Sequence, residues 1–390
     1  MTRKKLVIMS TRFPFPIEKG DKLRTYYFIK SLHEHYDIYL ISLTEETISK
    51  QALSHIEGIT KEIHVLKLSK IGIYCRIIIG LFNSKPLQVN YFTSIKQQNK
   101  VKALLQTIAP DHIICQLIRS AEYVKNYHDC PKTIDYMDAL SIGMDRRIGK
   151  APWYLKFLFR LETNRLKEYE RRVFNYFEFQ TIISKQDQAY ISHPDQKKML
   201  IVPNGIDRYY FEAAAVSTKY DLVFIGNLNY APNIDAINYL LKEILPALPS
   251  LSLLISGANP SNRLLNQIEN TPNASITGWV EDIRTSYLQG KVLIAPMKIG
   301  TGMQNKILEA MALGVPCITT TLANNAINAK HLESIWVADT KQEIISGIES
   351  LLADPALYHN IQENAKNFVS ENYNWNSILL KLTKAIHLQD

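Results

Sequence analysis

The sequence predicts an α/β protein built from two Rossmann-like, doubly wound parallel-sheet domains. Short apolar runs of strand length alternate with stretches of helical periodicity, which is typical of parallel sheets flanked by helices. The chain has 390 residues, whereas single cores stop growing at about 250 to 300 residues. The alternation also restarts after Pro203-Asn204-Gly205. We therefore expect domains at 1–202 and 203–369, with a terminal helix at 370–390 returning to the first domain.

Composition and charge exclude several classes of protein. The hydrophobic content is 46%, and 45 Lys and Arg residues stand against 37 Asp and Glu residues, which excludes wholesale disorder and collagen-like repeats. No apolar run approaches the ~18 residues that a spanning helix requires. The excess positive charge is not gathered into one block and no nucleic-acid-binding motif is present, so we expect no nucleic-acid partner.

Two further features point to the cytoplasm. The first apolar run has only five residues before polar and proline residues follow, which is too short for the core of a signal peptide. The four cysteines lie far apart without a C-x-x-C pair, so we expect reduced thiols in the core. These are Cys75, Cys115, Cys130 and Cys317.

The first half opens with a β-α-β pattern. A helix is predicted at 22–35, the apolar and aromatic stretch 71–92 follows later, and 152–179 is rich in aromatics, Arg and Glu at helical spacing. Strands are predicted at 5–10, 37–43, 63–68, 111–115 and 181–184.

The second half repeats this organisation. Short apolar runs alternate with amphipathic segments, and two helical segments follow Asp354-Pro355. Strands are predicted at 221–226, 251–256, 275–278, 291–295 and 315–320, and helices at 233–245, 261–270, 356–370 and 375–388.

The segment 296–316 is the most informative part of the chain. A strand leads into a glycine-rich loop, a helix is predicted to begin near Met303, and Gly314 is suited to end it. The unpaired N–H groups at such a helix N-terminus favour a diphosphate or sugar hydroxyls. Lys306 and Glu309 are spaced to lie on one edge of this helix. An alternative interpretation is a solvated ion pair on an ordinary crossover helix.

Several motifs together resemble the GT-B glycosyltransferases, and most closely the retaining group 4 sugar transferases (glycosyl transferases group 1). In the second half they are Val223-Phe224-Ile225-Gly226, Gly278-Trp279-Val280-Glu281-Asp282, Gly300-Thr301-Gly302, Lys306 to Ala312 and Gly314-Val315-Pro316. The segment 14–24 is similar to that family's first N-terminal loop, and 202–207 to its domain-linking signature. The resemblance covers most of the chain.

The resemblance implies a fold and a reaction. The fold would be GT-B, with the two Rossmann-like domains facing a central cleft, the first on the acceptor side and the second on the nucleotide-sugar donor side. The reaction would be metal-independent, retaining hexosyl transfer from a nucleotide-sugar to a glycan or lipid-linked acceptor. No cofactor beyond the donor substrate is implied. Exopolysaccharide, capsule or lipopolysaccharide synthesis would be the setting.

The resemblance also assigns residues to the donor site. Glu309 matches the carboxylate that holds the ribose, and Lys306 and Arg24 are the candidate cations for the diphosphate, so these three are the catalytic candidates. Thr301 stands at the position of the first Glu of the family's E-x7-E motif. The other donor-binding candidates are Gly20, Asp21, Gly226, Asn227, Trp279, Val280, Gly300, Thr301, Gly302, Met303 and Gln304.

Acceptor-side candidates follow two strands of the first domain. Arg119 comes after the strand at 111–115, and Asp138 and Ser141 follow a short strand, where ligands of parallel sheets bind. Helix capping explains Asp138 and Ser141 equally well. The aromatic and basic stretch 153–160 also allows two interpretations. It either packs in the core or contacts an anionic inner membrane peripherally from the cytoplasmic side.

Two other functions fit parts of the pattern. A GT-B protein that binds a nucleotide-sugar without transferring it is compatible with Thr301 in place of Glu. A nicotinamide oxidoreductase with two Rossmann domains is the second, although the first strand-to-helix turn lacks G-x-G-x-x-G.

Overall fold

Two parallel sheets, one in each of two compact units, make up the protein. The computed structural model describes residues 3–17, 19–149, 151–212, 216–299 and 303–387. Unit 1 consists of Met1–Asn204 and Trp375–Asp390, and unit 2 of Gly205–Asn374. The first sheet has seven strands and the second six. The predicted α/β class with parallel sheets is therefore confirmed.

Unit 1 has the strand order β3-β2-β1-β4-β5-β6-β7, so the chain changes direction across the sheet between β1 and β4. Its strands are β1 (Lys4–Ser10), β2 (Tyr36–Thr44), β3 (Glu62–Lys67), β4 (His112–Gln116), β5 (Lys132–Asp135), β6 (Phe179–Ile182) and β7 (Leu200–Ile201). Its helices are α1 (Gly20–Leu32), α2 (Lys50–Glu57), α3 (Lys70–Leu81), α4 (Leu87–Phe92), α5 (Ile95–Ile108), α6 (Leu140–Ile148), α7 (Trp153–Val173), α8 (Lys185–Tyr190) and, from the end of the chain, α16 (Trp375–His387).

Strand β1 shows how the first sheet is buried on both faces. Leu6 and Ile8 join one core cluster, whereas Val7 joins a second cluster, as side chains that alternate along a strand must. The first cluster also contains the start of α16, where Trp375 stacks on Tyr27 of α1 with ring centroids 4.7 Å apart. Aromatic stacking and apolar burial therefore hold the last helix on unit 1.

Unit 2 has the strand order β10-β9-β8-β11-β12-β13, so its topological switch lies between β8 and β11. Its strands are β8 (Tyr220–Ile225), β9 (Leu253–Ser256), β10 (Ala274–Gly278), β11 (Gly290–Ala295), β12 (Cys317–Thr319) and β13 (Trp336–Val337). Its helices are α9 (Ala231–Tyr239), α10 (Asn262–Glu269), α11 (Ile283–Leu288), α12 (Asn305–Leu313), α13 (Thr321–Ile327), α14 (Lys341–Ala353) and α15 (Pro355–Asn372).

Some local expectations differ from the structure. The helix predicted at 233–245 is α9 followed by a π-helical stretch, Leu240–Ile244, and a 3₁₀ turn, Leu245–Ala247. Pro246 lies in this turn, and proline cannot supply the N–H that would continue an α-helix. Strand β13 has only two residues, too few for a visible periodicity. The core placement predicted for the cysteines is wrong for Cys75, which is exposed on α3, while the other three are buried.

Candidate functional site

The candidate donor site lies at the carboxyl end of β8, beside the topological switch of the second sheet. Ligands of open parallel sheets bind at such points. Gly226 follows β8 with φ +157°, and a Cβ built there would lie 2.5 Å from Asn233 Nδ2 and 3.2 Å from Lys306 Nζ. At the end of β9, a Cβ on Gly257 would lie 1.8 Å from the carbonyl oxygen of Gly226. Glycine is thus required here for close approach.

Lys306 projects from the first turn of α12 into this corner. Its Nζ donates to Asn233 Oδ1 at 2.5 Å and lies 3.8 Å from the sulfur of Met297. The same ammonium sits 4.6 Å from the ring centroid of Phe224, within the range of cation–π attraction. The side chain is buried, so the alternative of a solvated ion pair is wrong for Lys306.

Glu309 follows one turn later on the same helix and is held by two phenols. Tyr287 Oη donates to Glu309 Oε2 at 2.7 Å, and Tyr210 also hydrogen-bonds this carboxylate. Tyr287 lies on α11 and is fully buried, whereas Glu309 is partly exposed. The carboxylate therefore has a fixed orientation and retains capacity to accept further hydroxyl donors.

Burial moves both ionisable groups toward neutrality. It lowers the pKa of Lys306 to about 7, and the negative charge of Glu309 opposes only part of that shift. It also raises the pKa of Glu309, although the hydrogen bonds from Tyr287 and Tyr210 and the charge of Lys306 favour the carboxylate. Displaced pKa values of this kind cluster at functional sites.

The loop before α12 is described only in part. The predicted site residues Gly300, Thr301 and Gly302 lie outside the described residues. Met303 is buried, and Gln304 precedes the first residue of α12 without a side-chain cap. The helix begins at Asn305, two residues later than predicted, which is within the usual uncertainty of helix ends.

The other donor candidates of unit 2 lie on neighbouring strand ends. Asn227 follows Gly226, and its carbonyl oxygen accepts from Asn233 Nδ2 at 2.9 Å. Trp279 and Val280 follow β10, where the Trp279 side chain is 69% exposed. An exposed indole beside a strand end is free to stack on a nucleotide base. Their role in base binding stays a prediction.

Arg24, the second predicted diphosphate cation, lies in an internal hydrogen-bond network of unit 1. Its Nε and Nη2 donate to the two oxygens of Asp135 at 2.7 and 2.8 Å, and its Nη1 donates to Asn204 Oδ1 at 3.1 Å. The side chain is fully buried. This placement argues against the predicted catalytic role, because the guanidinium is committed to an internal ion pair and hydrogen bond.

Gly20 and Asp21 form the start of α1. Asp21 forms an ion pair with Arg12 and is largely buried, and its carbonyl oxygen accepts from Gln116 Nε2 at 2.5 Å. A Cβ on Gly20 would lie 2.9 Å from the terminal methyl of Met137, a contact that a shift of this flexible side chain relieves. A diphosphate contact by either residue stays a prediction.

The three acceptor-side candidates have different environments. Ser141 is buried, and its hydroxyl donates to Glu170 Oε2 at 2.6 Å, which argues against an acceptor contact. Arg119 Nη2 donates to Gln88 Oε1 at 2.5 Å, while its buried Nε has no partner within the described residues. Arg119 and Asp138 are electrostatic neighbours near the carboxyl edge of the first sheet.

Sequence reasoning missed three residues of the unit 2 site. Asn233, Tyr287 and Tyr210 hold the Lys306 ammonium and the Glu309 carboxylate. Of these three, only Asn233 could have been found from the sequence, because it lies seven residues after Gly226 in the same strand-to-helix connection. The two tyrosines come from separate segments, and their approach to α12 depends on tertiary packing.

The described ranges contain neither a metal-binding cluster nor a helix suited to cross a membrane. No group of three or more His, Cys, Asp or Glu side chains there is arranged to hold a metal ion. None of the helices in those ranges combines the length and apolarity needed to cross a membrane.

Comparisons with known proteins agree with the observed fold. The chain is 22% identical, over 97% of its length and 99% of the relative, to an uncharacterized 44.6 kDa protein in the cps region of Klebsiella pneumoniae. Its structure is similar to sucrose-phosphate synthase from Thermosynechococcus elongatus (TM-score 0.74, 14% identity, 99% of both chains). It is also similar to HepE from Anabaena in complex with UDP and glucose (TM-score 0.70, 13% identity, 98% and 99% coverage).

The family comparison falls on the unit that holds the candidate donor site. Residues 219–354 match the model of the family described as glycosyl transferases group 1. This range contains Gly226, Lys306 and Glu309, the residues that carried the resemblance in the sequence. The predicted resemblance is therefore confirmed: the protein has the GT-B fold, and its residues 219–354 are similar to the glycosyl transferases group 1 family.

Proposed function

We propose that this protein is a retaining glycosyltransferase that moves a hexosyl group from a nucleotide-sugar to a glycan or lipid-linked acceptor. The observation that carries the proposal is the pairing of Lys306 and Glu309 on the first turns of α12, beside Gly226 at the switch of the second sheet. A buried cation and an oriented carboxylate at one helix N-terminus suit the diphosphate and the ribose of one ligand.

Each group has a definite task in this proposal. Glu309, fixed by Tyr287, accepts hydrogen bonds from the ribose hydroxyls. Lys306 and the positive end of the α12 dipole stabilise the charge that develops on the diphosphate leaving group. Because this charge is largest when the sugar–phosphate bond breaks, the interaction favours the transition state over bound substrate.

Binding and turnover of donor test the proposal directly. We expect one class among UDP-, GDP-, ADP- and dTDP-sugars to bind in isothermal titration, and slow hydrolysis of that donor to proceed with EDTA present. Binding without hydrolysis or transfer would support the inert nucleotide-sugar-binding protein instead, which Thr301 in place of Glu favours. Failure of every class to bind would refute the donor site.

The displaced pKa of Lys306 predicts proton uptake on donor binding. Above pH 7 the free lysine is mostly neutral, and a bound diphosphate raises its pKa again, so binding takes up about one proton. Affinity should therefore fall as the pH rises through 7. Titration in buffers of different ionisation enthalpy measures this uptake.

The proton uptake has a matched control. Lys306→Met should abolish the uptake, whereas Lys242→Met, which removes an exposed lysine of the same unit, should leave it unchanged. Uptake that persists in Lys306→Met would show that another group meets the diphosphate.

We also propose that the protein acts in exopolysaccharide, capsule or lipopolysaccharide synthesis, at the cytoplasmic face of an anionic inner membrane. Its relative from the cps region supports the first part. An exposed apolar surface on unit 1 supports the second. On α3 and just after it Ile71, Ile78 and Phe82 are 78%, 59% and 87% exposed, and at the start of α7 Trp153 is 84% exposed.

The surroundings of that surface suit anionic lipid. The segment 63–110 contains seven Lys and Arg residues and no Asp or Glu. Arg165 of α7 donates to the carbonyl oxygens of Gly80 and Leu81, which brings the carboxyl end of α3 to α7. Exposed Trp, Phe and Ile side chains among basic residues are typical of helices that lie in the membrane interface.

Vesicle sedimentation tests the membrane contact. We expect the protein to bind phosphatidylcholine vesicles only when phosphatidylglycerol is included, and to dissociate at high salt. Phe82→Ala should weaken binding about tenfold, because it removes one large apolar side chain. Leu380→Ala, an exposed leucine on α16, is the matched control. Equal binding by both variants would contradict the assigned surface.

A further inference from the structure

The Glu309 carboxylate is held in part by a short 3₁₀ turn, Arg208–Phe211, near the beginning of unit 2. Tyr210 of this turn hydrogen-bonds Glu309, as Tyr287 of α11 does. Asp207 caps the turn by accepting from the N–H of Tyr209 at 2.8 Å. A turn of four residues has few internal hydrogen bonds. Its position against α12 therefore depends on contacts with other elements.

Arg284 of α11 supplies such contacts on both sides of Tyr210. Its Nη1 donates to the carbonyl oxygens of Tyr209 and Glu212, each at 3.0 Å. Its guanidinium carbon lies 3.5 Å from the ring centroid of Tyr209, which is a close cation–π contact. One side chain thus fixes both the main chain and an aromatic ring of the turn.

Arg284 is itself held in a fixed orientation. Its Nη2 donates to Asp282 Oδ2 at 2.9 Å and its Nε to Asp282 Oδ1 at 3.1 Å. Asp282 also caps α11 by accepting from the backbone N–H of Arg284 at 3.0 Å. These hydrogen bonds lower the pKa of Asp282, so it remains a carboxylate. The charge-assisted pair leaves the guanidinium fork little freedom to move.

Helix α11 therefore acts on Glu309 in two ways. Arg284 and Tyr287 are three positions apart and lie on one face of the helix. Tyr287 donates to the carboxylate directly, whereas Arg284 contacts the turn that carries Tyr210. Burial raises the pKa of Glu309, and the two phenols together with the charge of Lys306 oppose this rise. The charged form matters because a carboxylate accepts hydroxyl donors on both oxygens.

We propose that Arg284 is a positioning residue of the donor site, which fixes the 208–211 turn so that Tyr210 hydrogen-bonds Glu309. The inference rests on the proposed function, because it assigns Arg284 to the orientation of the carboxylate that would hold the ribose. Loss of Arg284 should have the same effect on Glu309 as loss of the Tyr210 hydroxyl. It should have little further effect once that hydroxyl is absent.

The titration of Glu309 in the free protein tests this without any ligand. Carbon-13 NMR of protein labelled at the glutamate carboxyl carbons follows it, and Glu309→Gln identifies its resonance. We expect Tyr210→Phe and Arg284→Met each to raise the pKa of Glu309, because the charged form loses a hydrogen bond. The double variant should titrate like Tyr210→Phe. Arg263→Met, which removes an exposed arginine of α10, is the matched control.

Donor binding gives a second readout. In isothermal titration with the preferred nucleotide-sugar, each single variant should bind about three- to tenfold more weakly, and the double variant no more weakly than either. The loss relative to wild type should shrink as the pH rises, because a higher pH restores the Glu309 carboxylate in the variants. The titration of Lys306 is common to all four proteins and cancels in this ratio. A loss independent of pH would indicate a packing defect and contradict the inference.

Two outcomes in the free protein would overturn the inference. One is an unchanged pKa of Glu309 in Arg284→Met. The other is a rise in the double variant equal to the sum of the single rises, which would show that Arg284 acts without Tyr210. Arg284→Lys keeps the charge but not the planar fork, and it should raise the pKa as well, so the test does not depend on one variant folding.

Failure of the proposed function would look different. If no nucleotide-sugar bound to the wild-type protein, the donor site would be refuted. The titration of Glu309 would still decide whether Arg284 positions Tyr210.

Discussion

Replacing Glu309 by alanine is expected to lower the affinity for the preferred nucleotide-sugar about a hundredfold, the loss of two charge-assisted hydrogen bonds to the ribose. Glu309 is already oriented by Tyr287 before any ligand binds, so little rearrangement offsets these bonds. Isothermal titration of wild type and variant measures the change. Glu349→Ala, which removes an exposed carboxylate on α14, should bind donor normally.

A ligand lacking both ribose hydroxyls separates this role from a general electrostatic one. The affinities of wild type and Glu309→Ala are measured for the nucleoside diphosphate of the preferred class and for its 2′,3′-dideoxy analogue. The four values form a double-mutant cycle in which one change is made on the protein and the other on the ligand. We expect the substitution to have little effect on binding of the dideoxy analogue. An equal loss for both ligands would show that Glu309 does not contact the ribose, and the assignment of this site would have to be withdrawn.

Removing the phenol that orients Glu309 should lower the affinity for the nucleotide-sugar less than removing the carboxylate itself. Tyr287→Phe removes one hydrogen bond of 2.7 Å while the ring remains in the core. We expect affinity to fall only about three- to tenfold, and the fall to be confined to ligands that carry ribose hydroxyls. The same loss with the dideoxy analogue would point to a general packing defect.

The sequence was most informative where a property depends on neighbouring residues. Lys306 and Glu309 are three positions apart on one helix, so their common edge follows from helical geometry alone. The strand ends were equally visible, because glycines such as Gly226 follow apolar runs of strand length. These local patterns were enough to predict both parallel sheets and the motifs of the candidate donor site.

Contacts between distant segments were not predictable in this way. Arg24 meets Asp135 across 111 residues and Asn204 across 180 residues, and nothing in its neighbourhood distinguishes it from an arginine that contacts a ligand. The hydrogen bond from Tyr287 to Glu309 was equally hidden, because the two residues come from different helices. A single sequence shows the residue types but not which of them become partners.

The buried ion pair of Arg24 and Asp135 supports the second large prediction, a loss of stability. Arg24→Met should destabilise unit 1 by about 3 to 5 kcal/mol, because it leaves the fully buried Asp135 carboxylate without its counter-charge. Arg171→Met breaks an exposed ion pair with Glu168 on α7 and should change the stability little, because water and salt screen the pair. The difference in stability loss between the two variants therefore measures the effect of burying the ion pair, because both variants lose an arginine.

Hydrogen exchange followed by mass spectrometry locates the effect in a protein of two units, where a single unfolding free energy is poorly defined. We expect faster exchange in β1, β4 and β5 of Arg24→Met and unchanged exchange in 219–354. Replacing both partners, in Arg24→Met/Asp135→Leu, should recover part of the loss, since no unpaired charge remains. The contrary result would be an Arg24→Met variant whose hydrogen exchange matches that of Arg171→Met but which hydrolyses the nucleotide-sugar far more slowly at unchanged affinity. Arg24 would then be the diphosphate cation that the family resemblance implied. Its ion pair with Asp135 would have to open during turnover.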